Sequence, residues 1–272
     1  MSVCYAIASG KGGVGKSVIT ANLAAAVASG GTRVLIIDAD IGLRSQDALL
    51  GLENRVVYDL VDLAKGECTP DQAILTNESI PSLHLLPAAQ FERAKALQSG
   101  KLRSLLSSLR DQYNFIFIDC PAGIERGLRN VLNAGVDEMI LIVTPDDVSV
   151  RSAERAAQII EEKKQPRPRL IVNRLNADLI RSGEMMSART VSQVLDLQLL
   201  GIVPEDPAVY RTMLKHDLFV SYDCDARNAI LRISSRLQGR VVPFTDFDRR
   251  KGSLFRRFFS GTLKEVTPID DH

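Results

Sequence analysis

The 272-residue chain has no tryptophan, four cysteines and only 5% aromatic residues. Cys4, Cys68, Cys120 and Cys224 form no C-x-x-C pair, and His84, His216 and His272 share no ligand spacing. This argues against a disulfide scaffold or a zinc ribbon and for isolated thiols in a reducing compartment. No basic N-terminal region leads into a long apolar stretch and a cleavage site. No uninterrupted apolar run approaches the roughly 18–20 residues of a membrane-spanning helix. The expectation is a cytoplasmic protein, neither secreted nor integral. Thirty-four basic residues nearly balance 33 acidic ones, for a net charge of +1. No global field therefore draws the chain to nucleic acid or membrane, so no specific nucleic-acid partner is expected and any such contact needs a local patch.

What the chain does have is a glycine loop between an apolar run, Val3 to Ala8, and a helix-forming segment, Val18 to Ala28. Gly10, four residues, then Gly15-Lys16-Ser17 satisfies the Walker A spacing. The loop from Gly10 through Lys11, Gly12, Gly13, Val14 and Gly15 turns backbone N–H groups onto phosphates, and the helix N-terminus adds its positive end. Lys16 then reaches the β and γ phosphates, and the Ser17 hydroxyl holds Mg²⁺. Lys11, just before the glycines, is poorly placed to fold back on its own nucleotide. It could instead reach the phosphates of a second subunit.

Further carboxylates mark the same edge of a parallel sheet. Arg33 to Ile37 reads as a buried strand ending in Asp38-Ala39-Asp40, with Asp38 assigned toward the metal shell and Asp40 toward the attacking water. Phe115 to Ile118 closing on Asp119 has the Walker B form; its strand belongs beside the P-loop strand, with Asp119 orienting Mg²⁺ through water. Cys120 has no base marked nearby and is not read as a nucleophile. Phe91 to Gln112 has helical period, with Leu97, Leu102, Leu105, Leu106 and Leu109 on one core-facing side. Residues 60–82 read as helix and loop, Leu83 to Leu86 and Glu138 to Thr144 as strands, and Pro145 to Arg151 leads into a helix to about Lys164. Leu170 to Arg174 is another strand. Asn173 at its end can donate and accept together, which suits the edge of adenine. Strand and helix alternate to Leu237, giving a doubly wound, mostly parallel sheet with helices on both faces.

From Gly239 to Asp248 the periodicity fades. Then Arg249 to Phe259 places Leu254, Phe255, Phe258 and Phe259 on one side of a helical wheel, with Arg249, Arg250, Arg256 and Arg257 largely opposite and Lys251 near its start. Such a helix can lie in the interface of an anionic membrane. The domain organisation is thus an ATPase domain, 1–238, a linker, 239–248, an amphipathic membrane-targeting segment, 249–261, and a tail, 262–272.

Lys-Gly-Gly-Val-Gly-Lys-Ser resembles the deviant Walker A signature of the MinD and ParA class of dimerising ATPases. Asp38 to Arg44, Leu50 to Asp59, Pro121-Ala122-Gly123-Ile124-Glu125 and the basic aromatic tail resemble the MinD branch in particular. Ser45 and Ser152 depart from it, where Asn and Asp are frequent. The resemblance covers Val3 to Gly261 and implies an Mg²⁺-dependent ATPase with ATP sandwiched in a homodimer and Lys11 acting in trans. It also implies that Gly201 to Asp206 is the last strand and the loop packing on the adenine, with Pro204 and Asp206 at the nucleotide. Catalysis falls to Lys11, Lys16 and Asp40. The implied role is division-site placement: peripheral binding to the inner membrane, recruitment of a MinC-like inhibitor, and regulation by MinE or another topological factor. Alternatives are a regulator of flagellar number and a ParA-type DNA or cargo-positioning ATPase. An iron-sulfur carrier of the same superfamily would carry a C-terminal C-x-x-C, absent here.

Overall fold

A computed structural model of the chain describes residues 2–90, 98–123 and 126–244. Strand β1 (Val3–Ala8) runs through the glycine loop into helix α1 (Lys16–Ala28), followed by β2 (Val34–Asp38). Short helices α2 (Gln46–Leu49), α3 (Leu60–Lys65) and α4 (Pro70–Ala73) lead to β3 (Leu75–Thr76) and β4 (Leu83–Leu86). Next come α5 (Ser99–Leu109), β5 (Phe115–Asp119), α6 (Arg126–Leu132), β6 (Glu138–Val143), α7 (Asp147–Glu162) and β7 (Arg169–Leu175). The chain continues through α8 (Ala177–Arg181), α9 (Ala188–Leu195), β8 (Leu199–Pro204), α10 (Pro207–Met213) and α11 (Asp225–Leu237).

The described strands form one sheet in the order β3-β4-β2-β5-β1-β6-β7-β8, parallel except for the β3–β4 pair. The β1 strand lies between β5 and β6, so the P-loop strand is beside the Walker B strand as the sequence predicts. Both faces are covered. Cys4, Ala6 and Ala8 enter one core with Ile116 and Leu141, while Tyr5 and Ile7 enter the other with Phe117 and Ile140. Burial on both faces explains why these strands read as unbroken apolar runs.

Three differences from the sequence reading have physical reasons. Helix α1 begins at Lys16 rather than Val18, directly after the left-handed Gly15, and it buries nearly every side because α11, α2 and the turn at Phe219 pack over it. Residues 60–82 contain a strand as well as helix and loop; β3 is two residues long and too short to show a period. Within the stretch expected as one helix from Phe91, α5 begins at Ser99 because Gln98 is extended, with Leu102, Leu105, Leu106 and Leu109 buried as expected; residues 91–97, Leu97 among them, lie outside the described residues. Ile124, Glu125 and the segments 249–261 and 262–272 also lie outside them, as does 245–248 of the linker. Among the described residues no helix is long and apolar enough to cross a membrane.

Candidate functional site

The loop between β1 and α1 lies at the C-terminal edge of the sheet, where parallel sheets bind ligands. Gly13 (φ 80°) and Gly15 (φ 90°) take left-handed conformations that a side chain would strain, and Gly15 caps α1. Gly10 is required for a different reason. A Cβ there would stand 2.1 Å from the Ser152 carbonyl oxygen on α7, so glycine lets the loop lie against that helix backbone. The loop opens a cavity of about 910 Å³ lined by Gly12, Gly13, Gly15, Lys16 and Ser17, with Asp40, Ser45 and Asn173 on its walls.

Inside the cavity the charges are already paired. Lys16, 5% exposed, places Nζ 2.6 Å from Asp119 Oδ1, 3.8 Å from Asp40 Oδ2 and 3.3 Å from Ser17 Oγ. Burial pushes the ammonium toward neutrality, but Asp119 and then Asp40 outweigh it and hold its pKa above the ordinary value. Asp40 is raised in turn, by burial first, with Lys16 opposing and Asp119 adding.

Two residues that sequence reasoning passed over complete the arrangement. Thr20, one turn beyond Lys16 on α1, donates its hydroxyl to the Lys16 carbonyl (3.0 Å) and lies 3.3 Å from Asp119 Oδ1. Gln46, at the start of α2, donates Nε2 to Asp119 Oδ2 (2.7 Å) and to the Ser17 carbonyl (3.1 Å). The signal for Thr20 was its i+4 spacing from the signature lysine. For Gln46 it was an amide following the Asp-x-Asp loop.

Asp38, expected toward the metal, has its carboxylate turned into the following segment. Oδ1 accepts the N–H of Asp40, and Oδ2 accepts those of Ser45 and Gln46, each at 3.0 Å. Paired in register with Asp119 on β5, it is fully buried, and burial with that neighbouring carboxylate raises it to about 7. In this conformation it anchors the loop 40–46, which turns through Gly42 (φ 98°) and the left-handed Arg44 (φ 45°).

On the other wall, Asn173 lines the cavity and donates Nδ2 to the Val14 carbonyl (2.8 Å), bracing the P-loop. Its carbonyl end is the part of the amide left for a ligand. Pro204 and Asp206 also line the cavity, beside the apolar Val203, Val209 and Tyr210. The Asp206 carboxylate caps α10 through the Ala208 N–H (2.9 Å) and accepts the Ala226 N–H of α11 (3.1 Å). Burial pushes this acid up, but those N–H groups outweigh it and hold it below the ordinary carboxylate value.

The two signature lysines are placed differently. Lys11, 46% exposed, does not line the cavity; its Nζ lies 4.0 Å from Asp146 Oδ1, the N-cap of α7. Cys120 is fully buried, and burial raises its thiol far above the ordinary range, so it has no nucleophilic character. Gly123 N–H donates to the Ser9 carbonyl (3.0 Å), tying the segment after Walker B to the P-loop.

A magnesium-class cation takes oxygen donors. The Ser17 hydroxyl and the Asp119 carboxylate supply such donors beside the phosphate cradle, so these residues fit the ion. Fold and site together define a P-loop nucleoside triphosphatase.

Residues 1–237 match the family model described as ParA, NUBPL iron-transfer P-loop NTPase. The septum site-determining protein MinD of Synechocystis sp. is 39% identical over 259 residues, covering 94% of this chain and 97% of the relative. The MinC:MinD cell division protein complex of Aquifex aeolicus is similar in structure, with a TM-score of 0.83 and 33% identity over 90% of this chain and 99% of that one. MinD complexed with Mg-ADP from Pyrococcus horikoshii gives a TM-score of 0.77 at 28% identity, covering 87% and 96%. The chain belongs to the MinD branch of the ParA family of P-loop ATPases.

Proposed function

We propose that the protein is an ATP-dependent dimerising ATPase that binds the inner membrane peripherally and recruits a MinC-like division inhibitor for division-site placement. The observation that carries this reading is the division of the two signature lysines. Lys16 is buried among the carboxylates of its own cavity, whereas Lys11 stands outside that cavity on an exposed rim. A cation so placed is available to the triphosphate of a second copy. The fit of the chain to the MinD of a MinC:MinD complex supports the partner, and MinE or another topological factor is the regulator in this reading.

In the reaction, Lys16 leaves Asp119 for the β and γ phosphates, and the loop N–H groups and the α1 N-terminus hold the rest of the chain of phosphates. Ser17 and Asp119 would hold Mg²⁺, which would supply neutralisation of phosphate charge. Asp38 keeps the loop 40–46 in register, so that Asp40 orients the attacking water. Lys11 from the partner copy adds positive charge where it develops in the transition state. Adenine lies toward Asn173 and Pro204, while Asp206 fixes the helix ends that close this wall.

The membrane step belongs to Lys251, Leu254, Phe255, Arg256, Arg257, Phe258 and Phe259. One such helix binds marginally, at about 10⁴ M⁻¹ as a single lipid chain does. Two carried by a dimer gain about 10²–10⁴ by avidity, so dimerisation becomes a membrane switch for anionic lipids. Phe255→Glu with Phe258→Glu should leave ATP hydrolysis intact and abolish ATP-dependent co-sedimentation with anionic liposomes. Continued pelleting would remove the tail from the account. The iron-transfer description of the family model finds no support in the cysteine pattern of the sequence, which has no C-x-x-C.

A further inference from the structure

Gln46 is fully buried, yet it is a polar side chain between three structural units. Its backbone N–H is held by Asp38 at the end of β2, and its Nε2 is shared between Asp119 at the end of β5 and the Ser17 carbonyl in α1. Its Oε1 is buried and meets no donor among the described residues. Flipping the amide does not remove the problem. It would aim Oε1 at a carboxylate and a carbonyl, acceptor against acceptor, so the hydrogen-bond network fixes the orientation. A buried acceptor without a donor costs about 1–3 kcal/mol. It therefore points to a donor that arrives with the ligand.

The residues around it say what that donor is. Ser17 and Asp119, the oxygen donors for the cation, are the two residues that the amide nitrogen grips. Magnesium retains several waters when it binds, and each is a strong hydrogen-bond donor. Outer-shell groups that orient a ligand or hold a bound water shape metal affinity nearly as much as the ligands themselves.

We propose that Gln46 is a positioning residue for the divalent cation: its amide nitrogen holds Asp119 in place when Lys16 departs for the phosphates, and its carbonyl oxygen accepts a hydrogen bond from a metal-bound water. Because α2 begins at Gln46, the same contact couples cation occupancy to the loop that carries Asp40. The inference rests on the reading of the cavity as an Mg²⁺–nucleotide site.

The test is binding of a fluorescent, nonhydrolysable ATP analogue to the full chain at a series of free Mg²⁺ concentrations and in EDTA. Gln46→Leu and, as a second variant of similar volume, Gln46→Met are compared with the parent, with urea midpoints to establish folding. The expected result is a rise of about 10–100-fold in the Mg²⁺ concentration needed for half-maximal enhancement, with affinity in EDTA unchanged. An unaltered Mg²⁺ midpoint in either folded variant would overturn the proposal, as would an equal loss of affinity with and without the metal, the mark of a purely structural role. If the parent itself gains no affinity from Mg²⁺, the reading of the site fails instead, and the two failures are thereby distinguished.

Discussion

Asp40 and Lys16 are 3.8 Å apart, and their relation illustrates how single residues divide the chemistry. A carboxylate whose pKa is raised by burial is a better base than an exposed one, and Asp40 is such a carboxylate on the cavity wall. Asp40→Ala should retain triphosphate binding and lower kcat by about 10²–10⁴-fold. Single-turnover hydrolysis alongside an equilibrium binding titration checks this, and parental turnover would clear Asp40 of the role. At this scale much of the site was legible. The Walker A spacing gave Gly10 through Ser17, and a carboxylate closing an apolar run gave Asp119. Gln46 and Thr20 were not legible as partners of Asp119. The contact from Gln46 spans 73 residues and exists only because β2 and β5 end side by side. Asp38 was expected toward the metal; its carboxylate instead accepts N–H groups of the loop 40–46, whose fold-back no spacing encodes.

At the scale of elements, the sheet edge works because helices are fixed against it at a few points. Gly10 lets the P-loop touch the α7 backbone. Gly10→Ala should lower both thermal stability and nucleotide affinity, since the added methyl must push apart two backbones rather than a flexible side chain. Thermal melts with a nucleotide titration would show it, and a variant as stable and tight-binding as the parent would mean that this close approach is not needed.

Asp206 fixes α10 to α11. Its loss in Asp206→Ala should cost about 0.5–2 kcal/mol near neutral pH by urea denaturation. Because the folded-state pKa is depressed, this contribution is present above the unfolded value, about 3.9, and is lost as pH falls through the folded one. The difference between variant and parent should therefore shrink below about pH 4. A difference that stays constant down to pH 3 would assign the effect to packing alone. Strands buried on both faces announced themselves as apolar runs, and so did the α5 leucines. The two-residue antiparallel β3 and the short helices α8 and α9 carry too few residues to establish a period.

For the whole molecule, the central claim is that one triphosphate is gripped by two copies. The chain's sheet, P-loop and family membership are common to P-loop ATPases that work in different ways, so they do not decide the matter. The observation that supports it is the exposed Lys11. In the single chain it is 4.0 Å from Asp146, a contact between two half-exposed groups that is worth little and is readily exchanged for phosphate. The basic aromatic tail lies outside the described residues; its proposed membrane role depends on the same pairing of copies. The most direct measurement is the molar mass of the full chain by light scattering with Mg²⁺ and a nonhydrolysable ATP analogue, set against ADP. The account predicts a doubled mass with the analogue for the parent and a single-chain mass for Lys11→Ala. A parent that stays at one chain's mass when saturated with the analogue, or a Lys11→Ala variant that pairs like the parent, would contradict it.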